Sequence, residues 1–84
     1  MDINTLMDNL TAADNLSVTM TGGGADHEIH IESAFTRKNG ENLEIEGEAQ
    51  AIRIDLREVK NIQQIDEISI IDMNNGTGYA FSCY

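Results

Sequence analysis

The stretch HEIHIESAFTRKNGENLEIEGEA, residues 27–49, decides how this chain folds. Ile29, Ile31, Leu43 and Ile45 fall on one phase of an alternating pattern, and Glu28, His30, Glu32, Glu44, Glu46 and Glu48 fall on the other. A period of two marks a half-buried strand, and Asn39-Gly40 marks a reversal between two such strands. Closure by two residues at Asn39-Gly40 would set Glu46 opposite Ser33 and mix apolar with charged side chains on both faces. A three-residue loop, Lys38-Asn39-Gly40 with Gly40 left-handed in a bulge, keeps them apart. In that register Ile29, Ile31, Ser33 and Phe35 face Ala49, Gly47, Ile45 and Leu43 as a core surface. On the other side His30 faces Glu48, Glu32 faces Glu46 and Ala34 faces Glu44, while Arg37 meets Glu41 beside the loop. Glu28, Glu32, Glu44, Glu46 and Glu48 then form a solvent-facing ladder of carboxylates.

Outward from this hairpin, Ile3, Leu6, Met7 and Leu10 recur at helical spacing behind a capping Asp2, with Asn15 as a stop, so residues 3–14 are expected to be an amphipathic helix. LSVTMT, residues 16–21, alternates and is β-branched, and Gly22 to Gly24 turn it into the HEIHIES strand. After Ala51 the apolar phase flips to Ile52, Ile54 and Leu56, which a bulge or bend near Gln50 would produce. Val59, Ile62 and Ile65 recur every third residue and predict a short helical connector. EISIIDM and GYAFSCY pair across residues 74–78. The expected fold is α+β: an N-terminal helix packed on an antiparallel sheet of about five strands, able to curl into a partial barrel, with residues 1–84 forming one domain.

Composition narrows the function classes. Fifteen acids against five bases give a net charge of −10, which repels nucleic acid and anionic membrane and attracts a basic surface. A chain this short buries only roughly 60% of its unfolded surface, so one thin core is expected. Cys83 is the single cysteine, so no internal disulfide can form and a reducing compartment is favoured. MDINTLMDNL has neither the basic region nor the apolar run of a secretion signal, and no apolar window reaches membrane-spanning length. The expectation is a soluble cytoplasmic protein.

No catalytic constellation is visible, and the chain is not expected to be an enzyme. The TGGG segment lacks the Lys-Ser/Thr ending of a phosphate loop and is read as a turn. His27 and His30, three apart on a strand, point to opposite faces and cannot chelate one ion together. His30 with Glu32, Glu46 and Glu48 is the one grouping that could attract a cation, against the plainer reading of a solvated face, and no metal or cofactor is expected. Cys83 alternates with Tyr79 and Phe81 and is read as a small core residue.

The ladder is the informative feature. Charged strand faces prevent aggregation, but lysine usually serves that purpose, and opposing Glu32 to Glu46 costs on the order of 0.2 to 1 kcal/mol. A cost with no structural return points to a partner. Alternate strand residues project roughly 6.8 Å apart, close to two rises of roughly 3.4 Å between phosphates along a nucleic-acid strand. The ladder is therefore expected to imitate DNA.

Met1, Ile3, Asn4 and Leu6, followed by Ser17-Val18-Thr19-Met20-Thr21-Gly22 and the Ile-x-Ile at 29–31, resemble the opening of a small acidic prophage-encoded anti-CRISPR protein that inhibits the type II RNA-guided nuclease. The resemblance implies a small acidic inhibitor that mimics DNA. The acids of that family lie in a dense run in its second half, whereas the acids of this sequence alternate along strands, so no contact residue is carried over. The expected function is an inhibitor that occupies the basic surface of a nucleic-acid-binding protein or ribonucleoprotein, acting as a monomer or homodimer and not binding nucleic acid or membrane itself. An immunity protein neutralising a basic toxin and a phage structural or assembly module are the alternatives.

Overall fold

The computed structural model describes residues 2–22, 24 and 26–84. Asp2 caps helix α1 (Ile3–Thr11), its carboxylate accepting the Thr5 backbone N–H at 2.8 Å. Eight strands follow among the described residues: β1 (Leu16–Thr21), β2 (His27–Ile31), β3 (Phe35–Asn39), β4 (Asn42–Glu46), β5 (Ala51–Asp55), β6 (Val59–Ile65), β7 (Ile68–Met73) and β8 (Gly78–Cys83). They form an antiparallel five-stranded sheet in the order β2-β1-β8-β7-β6 and a separate three-stranded sheet, β3-β4-β5. The α+β class stands, but the strands divide between two sheets and do not close into a barrel.

One core unites these parts. Leu6 and Leu10 of α1, Leu16 and Val18 of β1, Leu43 and Ile45 of β4, Ile71 of β7 and Phe81 of β8 belong to a single buried cluster. Leu16 and Val18 of β1, Leu43 and Ile45 of β4, and Ile71 and Met73 of β7 are alternate residues of their strands, as the pleat requires. The first and last hairpins match expectation: Leu16 pairs with Ile31 and Met20 with His27, while Ser69 pairs with Phe81 and Asp72 with Gly78. Gly22 and Gly24 have positive φ, and the middle of that expected turn, Gly23, lies outside the described residues.

The decisive stretch folds differently from its reading. HEIHIESAFTR is two strands in two sheets, interrupted at Ser33, whose φ is 53. The bend is held by the junction between α1 and β1: Asn15 Oδ1 accepts the Ser33 N–H, and the Asp14 carbonyl accepts the Ala34 N–H at 2.7 Å. The helix ends at Thr11, with Ala12 as its C-cap, rather than continuing to 14. Freed from β2, β3 pairs with β4 through a two-residue Gly40-Glu41 turn, with Asn39 opposite Asn42. Gly40 is left-handed as expected, at φ 61, but sits at the first central position of a tight turn rather than in a bulge. Phe35 now faces Glu46, and Arg37 faces Glu44. An odd shift in register exchanges the faces, which is why Phe35 is 61% exposed instead of buried.

Three further expectations change. The phase flip after Ala51 is a chain reversal rather than a bulge, because the Gly47 N–H donates to the Gln50 carbonyl at 2.8 Å and Ile45 meets Ile52 across it. The expected helical connector is a short 3-10 turn, Leu56–Glu58, followed by β6. A bulge between Val59 and Asn61 resets the strand phase, so Val59 and Ile62, three apart, pair with Met73 and Ile71 and imitate a helical period. Cys83 is exposed rather than in the core.

Candidate protein-binding surface

The five glutamates of the expected ladder do not share a face. Glu28 lies on β2, Glu32 in the bend after it, Glu44 and Glu46 on β4 and Glu48 in the following turn. Glu44 is the centre of a charge stack: its cross-strand neighbours are Arg37 on β3 and Arg53 on β5. Arg37 Nε lies 2.8 Å from one carboxylate oxygen and Arg53 Nε 3.3 Å from the other. These guanidinium groups leave Glu44 only 5% exposed, and the hydrogen bond from Arg37 holds its carboxyl below the ordinary range. Arg37 also reaches Glu46 at 3.2 Å. A strand face that reads as repulsive in sequence is therefore largely neutralised.

The unneutralised charge lies elsewhere. All five bases fall between Arg37 and Lys60, alongside six acids, whereas residues 1–36 carry six acids and residues 61–84 carry three, with no base in either segment. Glu44 is buried and Asp55 and Asp72 are half-buried; the other twelve acids are exposed, and those in the base-free segments lie on α1 and its flanks, on β2 and the residues beside it, and in the β6–β7 turn. Asp55 is held below its ordinary pKa chiefly by hydrogen bonding with Arg57, which occupies a third arginine.

His30 Nε2 lies 3.0 Å from Glu28, and its ring meets Tyr84 edge-on at 5.1 Å. Glu48 instead accepts a hydrogen bond from Ser33 Oγ at 3.3 Å. His30, Glu32, Glu46 and Glu48 do not assemble: among the described residues, no group of three or more His, Cys, Asp or Glu side chains is placed to hold a metal ion. No helix among them is long and apolar enough to cross a membrane.

A groove of about 790 Å³ opens between the end of α1, the tip of the β6–β7 hairpin and the end of β8. Leu10, Leu16, Ile68 and Phe81 line it together with Asp66 and Glu67 of the hairpin turn. Asn9 of α1 and Gln64 of β6 join its walls through a 3.2 Å side-chain hydrogen bond. Sequence reasoning passed over this site because its residues lie far apart along the chain. The one local signal was Ile65-Asp66-Glu67-Ile68, two isoleucines flanking an acidic two-residue turn. Those isoleucines are 53% and 41% exposed.

Comparison with models of known families gives no match, and neither the curated proteins nor the solved structures contain a significant match to the chain.

Proposed function

We propose that this chain is a non-catalytic acidic binding protein that occupies the basic nucleic-acid-binding surface of a target, as a DNA-mimicking inhibitor does. The observation that carries this reading is the segregation of charge: nine acids and no base on the segments flanking residues 37–60. A net charge spread evenly would serve solubility; a base-free region focuses the field and favours association with a cationic surface. Glu28 and Glu32 belong to that region. Glu46 and Glu48 are exposed beside it, with Glu46 shared by Arg37, and Glu44 is withdrawn into its arginine stack.

The test is displacement. The immobilised chain is exposed to bacterial lysate, and retained proteins are challenged with duplex DNA and, separately, with rising salt. A nucleic-acid-binding protein released by DNA and by salt supports the reading, because the two ligands would share one cationic surface. Retained proteins that DNA leaves in place contradict it.

A further inference from the structure

We infer that the groove between the end of α1 and the β6–β7 tip seats an apolar side chain carried on a basic segment of a partner protein. The inference deepens the proposed function and rests on it for the partner's overall charge. The groove combines an apolar lining, the exposed Ala12 and Ile68 above a floor of the buried Leu10, Leu16 and Phe81, with the exposed carboxylates of Asp66 and Glu67. No lysine or arginine lines it. An acidic ligand is repelled by that rim, and a wholly apolar one leaves the rim unused. An apolar anchor flanked by lysine or arginine satisfies both, in the manner of interface anchors that fill a pocket inside a polar border.

The volume of about 790 Å³ falls within the range of pockets that hold drug-sized ligands, which accommodates one aromatic side chain and the backbone bearing it. Two conformational details keep the rim in place. Asp66 turns the hairpin at φ 55, a left-handed position that Asp tolerates, and the Asn9–Gln64 hydrogen bond ties the hairpin to the helix. A second copy of this chain is a poor occupant, because its own field has the same sign.

The probe is the end-blocked peptide KRWRK, with KRGRK and EEWEE as controls, titrated into the full 84-residue chain. Cys83 also lines the groove and is the single cysteine, so its alkylation rate reports occupancy. KRWRK is expected to slow alkylation of Cys83 and to shift the methyl resonances of Leu16 and Ile68. KRGRK is expected to bind about tenfold more weakly and EEWEE not to bind. Ala12→Trp, at an exposed groove residue, should remove the KRWRK effect; should it disturb the fold, the paired Asp66→Asn and Glu67→Gln variant tests the rim by charge alone and should weaken binding several-fold. Equal effects of KRWRK and KRGRK, unchanged Cys83 reactivity, or concentration-dependent groove shifts without peptide would each overturn the inference, the last assigning the groove to a second copy. Peptide seating without DNA displacement in the lysate experiment would leave the groove standing and remove the proposed function.

Discussion

Arg37 donates through Nε to Glu44 at 2.8 Å, and Arg53 approaches the opposite oxygen of the same carboxylate, so the central strand of the small sheet carries its acid between two cations. The hydrogen bond from Arg37 is the main reason the Glu44 carboxyl titrates below its ordinary value of 4.5. A depressed carboxyl pKa contributes stability that is fully present above the unfolded value and is lost as pH falls through the folded one. The stack should therefore weaken below about pH 4.5. Glu44→Gln should lower stability at pH 7, and the difference from the parent should shrink on acidification. Denaturant midpoints measured from pH 7 to pH 3 check this; parallel curves for the two proteins would show that the carboxylate contributes no such linkage.

Thr36 offers a test of the core. It is buried on β3, and its hydroxyl has no hydrogen-bond partner among the described residues. An unsatisfied buried hydroxyl costs about 1 to 3 kcal/mol. Thr36→Val keeps the branched shape and removes the polar atom, so it should stabilise the domain by about 1 kcal/mol, or raise Tm by roughly 4 to 8 °C for a chain of this size. A lower Tm would mean that the hydroxyl is hydrogen-bonded in solution.

The two sheets meet at Gly47, where an added Cβ would lie 2.5 Å from Ile31 Cγ2 and 2.8 Å from the Glu32 carbonyl oxygen. Gly47→Ala should destabilise by about 1 to 3 kcal/mol through overpacking. At Gly40 nothing among the described residues lies within 4 Å of the same position, but φ is 61, so Gly40→Ala should cost about 1 kcal/mol through backbone strain alone. Thermal melts of the two variants separate the mechanisms. A larger loss at Gly40 than at Gly47 would contradict the packing of β2 against the 47–48 turn.

What sequence could show depended on the range of the interaction. The capped helix, the β1–β2 hairpin and the last hairpin were legible because alternation and turn residues specify them locally. The β3–β4 register was not, since it follows from Ser33 and its hydrogen bond to Asn15, eighteen residues away. Once that bend separates β2 from β3, Ile29 and Ile31 no longer need to share one sheet face with Ile45 and Leu43. The Arg37–Glu44–Arg53 stack escaped for the same reason: each guanidinium comes from a different neighbouring strand. The bulge near Lys60 shows the complementary failure, a strand irregularity that reproduces a three-residue apolar spacing.

The most direct test of the central claim compares two fourfold neutralisations in the DNA-displacement experiment. One removes base-free-region charge, through Asp8→Asn, Asp26→Asn, Glu28→Gln and Glu32→Gln, leaving the groove rim intact. The other removes as many charges from the compensated segment, through Glu41→Gln, Glu46→Gln, Glu48→Gln and Glu58→Gln. The first variant should lose most partner retention at physiological ionic strength, where screening acts beyond about 8 Å, while the second should retain the partner more strongly despite the same net charge. Equal retention by both, or greater loss in the second, would contradict the assignment of binding to the acidic region outside residues 37–60.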